Sequence, residues 1–297
     1  MSHVLGIDLG GTRIKYLAST PNGEVLVKKA VDFDPSQSLD WRNRIQDIAN
    51  KLPGQYDIPS FDRIGISAPG LAARDARSIR HMPGRLKGLE GLDWTDALGT
   101  KLPVQVMNDA QAALMGEVWK GAAQGLSNVL MITLGTGVGG AAMVDGQLLR
   151  GHIGRAGHLG HISLDVDGPP DICRTPGSLE TAIGNCSIKE RTKGRFTSTH
   201  DLVKAGLQGD TEALHIWHRS VRHLAAGLVS LINVLDPEAI LLGGGIAESG
   251  RALLDPLQRE LDRMEWIIQE HRVAIISASL GEFAGAYGAA CMASADV

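Results

Sequence analysis

The sequence predicts an α/β protein built from two duplicated halves. Three observations carry this. The chain has 297 residues, room for two domains at the usual size of about 150 residues each. A strand, a glycine turn and a second strand occur near residues 4–19 and again at 128–149. In both halves short apolar strands alternate with helical stretches, the pattern of a sheet covered by helices. Glycine is abundant, 37 residues or roughly 12% against an average near 7%, with no three-residue period. The excess therefore has to be explained by placed turns.

The elements follow in order. Residues 4–9 are apolar with one Asp, Gly10-Gly11-Thr12 turns the chain, and 14–19 is apolar again. Pro21-Asn22-Gly23 marks a second turn before the β-branched stretch 24–29, so consecutive hairpin strands are expected. Leu39, Trp41, Ile45, Ile48, Ala49 and Leu52 recur at helical spacing. Strands follow at 63–68 and 104–107, and Asn108-Asp109 can cap an Ala-rich helix over 110–120. The second half opens with a buried strand at 128–134, a glycine turn at 135–140, a strand at 141–144 and an Asp145-Gly146 hairpin turn to 147–149. A long helix is expected over 211–235, stopped by Asp236-Pro237; its stripe of Leu214, Trp217, Val221, Leu224, Leu228 and Leu231 reads as core. A strand at 239–242, three glycines, a helix over 251–270, a strand over 273–278 and a helix over 284–294 complete the chain. That last helix is mostly Ala and Gly, which permits close packing. Residues 151–180 lack periodicity, and a long irregular stretch inside a compact domain is usually functional.

Composition excludes several classes. With 43% hydrophobic and 21% charged residues the chain can bury a core and is not disordered. The net charge is −4, from 33 acidic against 29 basic residues, and no basic run offers the clustered cations that nucleic-acid binding needs. Three cysteines, Cys173, Cys186 and Cys291, cannot make a disulfide framework and suit a reducing cytoplasm. No signal peptide and no uninterrupted apolar span of membrane length is read, so a cytoplasmic protein is expected.

Each glycine cluster directly follows an apolar strand, where backbone N–H groups can surround phosphate oxygens. None has the spacing of a P-loop or opens a helix as a dinucleotide fingerprint does. Asp8-Leu9-Gly10-Gly11-Thr12, then Leu134-Gly135-Thr136-Gly137-Val138-Gly139-Gly140, then Leu242-Gly243-Gly244-Gly245 resemble the two phosphate motifs and the adenosine motif of the sugar kinase, actin and Hsp70 superfamily. Asn108-Asp109-Ala110 and Gly157-His158-Leu159-Gly160-His161 resemble the ROK family, which includes bacterial glucokinases and N-acetylmannosamine kinases. The resemblance spans nearly the whole chain.

That resemblance implies two actin-like (ribonuclease H-like) domains with an interdomain cleft. The first would be 1–107 plus 284–297, and the second 108–283, carrying a sugar loop at 151–180. It implies ATP and Mg²⁺ as cofactors and a hexose-type sugar as substrate, phosphorylated at its 6-hydroxyl; the alternatives are an N-acetylmannosamine or other amino-sugar kinase, or a sugar-binding protein of the family with weakened catalysis. Asp109 would be the catalytic base. Asn108, Gly70, His158, His161 and Glu180 would bind sugar, with Ser67-Ala68-Pro69-Gly70 lining the pocket through its backbone. Gly10, Gly11, Thr12, Gly135, Thr136 and Gly137 would contact phosphates, and Gly243, Gly244 and Gly245 the adenosine. Asp8 would sit near Mg²⁺ through water. Repressors of the family carry an additional N-terminal DNA-binding domain; with Asp8 so early, none is expected. Relatives often form homodimers, and some use polyphosphate as donor.

Three departures stand out. The family's structural zinc pattern is a His followed by Cys-x-Cys-Gly-x-x-Gly-Cys-x-Glu. Here the spacing from His161 to Glu180, Gly168 and Gly177 persist, but Asp171 and Ser178 replace two cysteines, Arg174 replaces a glycine and only Cys173 remains. Structural zinc wants four strong ligands, so none is expected. His158 stands where glucokinases of the family usually have Glu, as in some N-acetylmannosamine kinases. Met82-Pro83-Gly84-Arg85 lacks the Asn that often follows the Pro. Hydroxyl patterns are read by such groups, so the substrate is expected to shift.

Overall fold

In the computed structural model, which describes residues 2–56, 58–82 and 86–294, the first apolar stretch forms β1 (Val4–Leu9), buried along its whole length. Apart from Asp8 it can be apolar on both faces because strands pair on both its edges and helices cover the sheet. The first unit continues with β2 (Arg13–Ser19), β3 (Val25–Asp32), α1 (Asp40–Gln55), β4 (Arg63–Ala68), β5 (Leu71–Ala72), β6 (Ile79–His81), α2 (Trp94–Leu98), β7 (Val104–Asn108) and α3 (Asp109–Lys120). Five strands form one sheet in the order β3-β2-β1-β4-β7. The hairpin pairs β1–β2 and β2–β3 are antiparallel, and β1–β4 and β4–β7 are parallel. Trp41, Ile45, Ile48 and Leu52 of α1 are buried as their spacing predicts, and Trp41 packs edge-on against Trp94, ring centres 5.8 Å apart.

The second unit repeats the plan. Its sheet and helices are β8 (Val129–Leu134), β9 (Val138–Val144), β10 (Gln147–Leu148, at whose Leu148 the chain passes to the first unit), α4 (Leu179–Ile183), α5 (Ile188–Arg191), α6 (Thr199–Leu207), α7 (Thr211–Leu235), β11 (Ala239–Gly243), α8 (Arg251–Met264) and β12 (Ala274–Ser277). The sheet order is β10-β9-β8-β11-β12, with β8–β9 antiparallel and β8–β11 and β11–β12 parallel. Asp145 and Gly146 both have positive φ, as a two-residue hairpin turn requires. Asp210 caps α7, accepting from the Ala213 N–H, and Asp236 ends it in a left-handed conformation before Pro237. The expected stripe is core apart from Leu214, which is only half-buried.

The last helix, α9 (Ala284–Ser294), packs in the first unit. Its small residues let backbones touch: a Cβ on Gly65 would lie 1.9 Å from the Ala289 carbonyl oxygen, and one on Gly288 would lie 1.7 Å from that of Ala112. The first contact joins β4 to α9 and the second joins α3 to α9, so the division into units differs from the expected boundary at 107/108. The first unit runs to Gly125 and regains Leu148–Ala156 and the chain from Ser279; the second comprises Leu126–Gln147 and Gly157–Ala278. Glu117, fully buried in α3, accepts from the N–H groups of Ala122, Ser279 and Leu280 and from the Ser279 hydroxyl, which satisfies a carboxylate that burial alone would make costly.

The helix expected over 251–270 stops at Met264. Glu265 is extended and its carboxylate accepts from the Val273 N–H, while Gln269 and Glu270 turn the chain with positive φ. The 151–180 stretch is irregular as read, apart from a single 3₁₀ turn at Leu159–His161 and the start of α4. Among the described residues no helix is long and apolar enough to cross a membrane.

Candidate active site

The carboxyl ends of the parallel strands gather one set of residues in the first unit, the end at which open α/β sheets bind ligands. Asp8 on β1 pairs in register with Ser67 on β4, and Ala68 with Asn108 on β7. A cavity of about 430 Å³ opens there, lined by Asp8, Gly10, Gly11, Lys15, Pro69 and Asp109 among others. Asp8 is held from two sides: the Ser67 hydroxyl donates to Oδ1 at 2.7 Å, and Lys15 Nζ lies 3.4 Å from Oδ2. The Gly10 N–H closes the turn onto the Arg13 carbonyl at 2.9 Å, and Gly11 has open space around it. Thr12 is exposed and its carbonyl accepts from the Phe33 N–H.

Asn108 is the N-cap of α3. Its Oδ1 accepts from the Ala110 and Gln111 N–H groups, and its Nδ2 donates to the Gly70 carbonyl at 2.9 Å. The residue expected to hold sugar thus also fixes Gly70 and the start of α3. Asp109, the next residue, opens to solvent at the cavity. Its pKa is pushed up to about 6, first because it lies deep among protein atoms and then because the Asp8 carboxylate is near; the Ala110 N–H bonded to its Oδ1 works the other way. A carboxylate that is reachable and titrates near neutrality is suited to take a proton.

In the second unit the Gly135 N–H donates to the Gly137 carbonyl at 3.0 Å, closing the turn between β8 and β9. The Gly157–His161 segment is pressed onto this turn: a Cβ on Gly160 would lie 1.8 Å from the Val138 carbonyl oxygen. Glu180 points at the turn as well, its Oε2 accepting from the Val138 N–H at 2.9 Å. His158 and His161 stack with ring centres 6.5 Å apart. Burial, then the neighbouring His161, holds the His158 pKa below the ordinary imidazole range, and its Nε2 is buried with no partner among the described residues. Gly244 has φ +85° and a Cβ there would meet the Leu134 carbonyl oxygen at 2.4 Å, whereas Gly245 borders open space. So β8 itself requires the glycine at 244, and at 245 nothing among the described residues does.

The departed zinc loop has its own arrangement. Asp171, whose side chain is 1% exposed, accepts from the N–H groups of Cys173 and Thr175 through Oδ1, and Oδ2 lies 2.7 Å from His161 Nδ1. Burial would raise its pKa, but the hydrogen bonds from His161, Thr175 and Ser178 outweigh it and hold the carboxyl below the usual range. His161, Asp171 and Cys173 present donor atoms within 4.8 Å of one another. The fourth position is the neutral hydroxyl of Ser178, engaged as the cap of α4. With Asp171 already bonded on both oxygens, this donor set does not fit a closed tetrahedral zinc site.

The Met82-Pro83-Gly84-Arg85 departure falls at 83–85 outside the described residues. Lys15 was not singled out from the sequence, although the hairpin register that sets Leu9 opposite Ile14 also sets Asp8 opposite Lys15, a cross-strand charge pair.

Known proteins resemble this chain throughout. The ROK family model matches residues 4–296. A glucokinase of Halalkalibacterium halodurans is 32% identical over 96% of this chain and 92% of its own length. An N-acetylmannosamine kinase of Vibrio cholerae is 33% identical over 82% of this chain and 83% of its own. Among solved structures, a ROK hexokinase from Thermus thermophilus has a TM-score of 0.83 at 29% identity, covering 98% of this chain and 97% of that one. A ROK family glucokinase from Streptomyces griseus, in complex with glucose and AMPPNP, has a TM-score of 0.81 at 27% identity, covering 98% and 99%. Motifs, paired sheets and these matches agree: the chain belongs to the ROK family.

Proposed function

We propose that this protein is an ATP-dependent sugar kinase that transfers the γ-phosphoryl group to the 6-hydroxyl of a hexose-type sugar. The observation that carries the reading is Asp109, a solvent-reachable carboxylate at the carboxyl ends of parallel strands with its pKa near 6. It removes the hydroxyl proton as the oxygen attacks in line. The first unit supplies Gly10, Gly11, Thr12 and Lys15 to phosphates, and Asn108 and Gly70 to the sugar. The second supplies Gly135, Thr136 and Gly137 to phosphates, Gly243, Gly244 and Gly245 to adenosine, and His158, His161 and Glu180 to the sugar. Asp8 has one oxygen bonded by Ser67 and the other beside Lys15, which suits contact with a Mg²⁺ ion through water. That ion, carried with the nucleotide, neutralises phosphate charge.

His158 favours a second reading within the class. A neutral imidazole whose Nε2 has no partner among the described residues is a hydrogen-bonding partner, not an anion, and suits an N-acetylated amino sugar such as N-acetylmannosamine. The test is ADP release over glucose, mannose, fructose, allose, N-acetylglucosamine and N-acetylmannosamine, with Mg²⁺ and either ATP or polyphosphate. Turnover of one sugar with ATP supports the reading; no turnover of any sugar refutes it.

A further inference from the structure

We infer that Glu180 is a positioning residue that couples sugar binding to nucleotide binding, by holding the second glycine turn through the Val138 N–H. The inference rests on the functional reading above, which places sugar at Glu180 and phosphates at Gly135–Gly137.

Its basis is a chain of contacts inside the second unit. Glu180 Oε2 accepts from the Val138 N–H at 2.9 Å, and a Cβ on Gly137 would lie 2.2 Å from that same oxygen. The carboxylate is therefore seated against the turn, in a space that only glycine leaves. The chain just beyond α4 braces the turn twice more: the Asn185 N–H donates to the Gly135 carbonyl at 3.0 Å and the Cys186 N–H to that of Thr136 at 2.7 Å. At its other end α4 is tied to the irregular loop, since the Leu179 N–H donates to the Ile162 carbonyl at 3.0 Å and Ser163 bridges Ser178. Val138 is the meeting point: its N–H is taken by Glu180, and its carbonyl oxygen is met by Gly160 of the His158–His161 segment.

A carboxylate can accept several donors. With Oε2 on Val138, Oε1 has no protein donor among the described residues and keeps its acceptor capacity for a sugar hydroxyl. A sugar bound there orders Glu180, and Glu180 in turn orders the N–H groups that receive phosphate. The ordering entropy is then met once for two ligands, so each tightens the other by the same factor.

The test is calorimetric titration of Mg²⁺–AMPPNP into the full chain, without and with the best-phosphorylated sugar of the panel at a concentration that saturates each variant. In the wild type the sugar should tighten AMPPNP by roughly tenfold. Glu180→Ala should bring that ratio to within about twofold of one. So should Gly137→Ala, which leaves Glu180 intact but drives its carboxylate off the turn. Glu180→Gln, which keeps an acceptor for Val138, should restore part of it. A merely structural role would weaken both ligands and leave the ratio unchanged. An unchanged ratio in the Ala variants of an enzyme that still phosphorylates the sugar overturns the coupling and leaves the kinase reading standing. Absence of sugar phosphorylation by the wild type overturns both.

Discussion

Replacing Asp109 by Asn should abolish most turnover while making the protein more stable. The carboxylate's pKa stands at about 6 against a usual 3.8, so the folded state disfavours its charge by about two pKa units, or an upper bound of ~3 kcal/mol at 1.36 kcal/mol per unit. Asp109 is open to solvent, and screening reduces this to about 1–2 kcal/mol. An amide of the same shape removes the repulsion from Asp8, and for a chain this long the Tm should rise by about 2–5 °C at pH 7.5. The sign follows from linkage: a carboxyl whose folded pKa is raised binds more protons folded than unfolded between about pH 4 and 6, so the wild type loses stability as pH rises through that window. The Asn variant should lack this loss. In a coupled ADP assay its kcat should fall by roughly 10²–10⁴, the usual contribution of a general base. The wild-type kcat/KM should fall tenfold per pH unit below about 6. An Asn variant within tenfold of wild-type kcat, or one that melts lower, would refute the assignment.

Four further outcomes are expected. Lys15→Met removes the cation beside Asp8 and should raise the KM for ATP by roughly ten- to a hundredfold, the worth of a charged hydrogen bond, in steady-state kinetics. Gly65→Ala forces a Cβ to within 1.9 Å of the Ala289 carbonyl oxygen and should cost at least ~2 kcal/mol in denaturant melts. Dialysis of the purified protein against a chelator should leave Tm unchanged, because the 161–178 loop is closed by hydrogen bonds to Asp171; a lowered Tm restored by zinc would contradict this. Asp171→Ala should cost about 2–3 kcal/mol by leaving the Cys173 and Thr175 N–H groups without their acceptor, read as a shift in the melting midpoint.

Much of the fold was legible because the information is local. β1, β4, β8 and β11 are short apolar runs bounded by turns, and α7 carries its stripe, its Asp210 cap and its Pro237 stop in sequence. The shorter elements were not legible. α2, α4, α5 and α6 span four to nine residues, too few for a period to declare itself, and α8 ends early because the Glu265 side chain takes the Val273 N–H from across a turn. Of the site, Asp8, Asn108 and Asp109 could be placed by their positions at strand ends. Lys15 could have been found from the hairpin register.

The sequence by itself determined the family and the order of the glycine turns, since these depend on residue identity and spacing. Tertiary structure alone decided the rest. It assigned α3 to the first unit, because Ala112 and Gly288 meet at backbone distance only once α9 has returned. It raised the Asp109 pKa, first by placing the carboxyl among protein atoms and then by bringing Asp8 near it. It bonded Asp171 to His161, ten residues away, and seated Glu180 on Val138, forty-two residues away. Electrostatics and hydrogen bonding act through distance in space, and no spacing along the chain states which groups the fold will bring together.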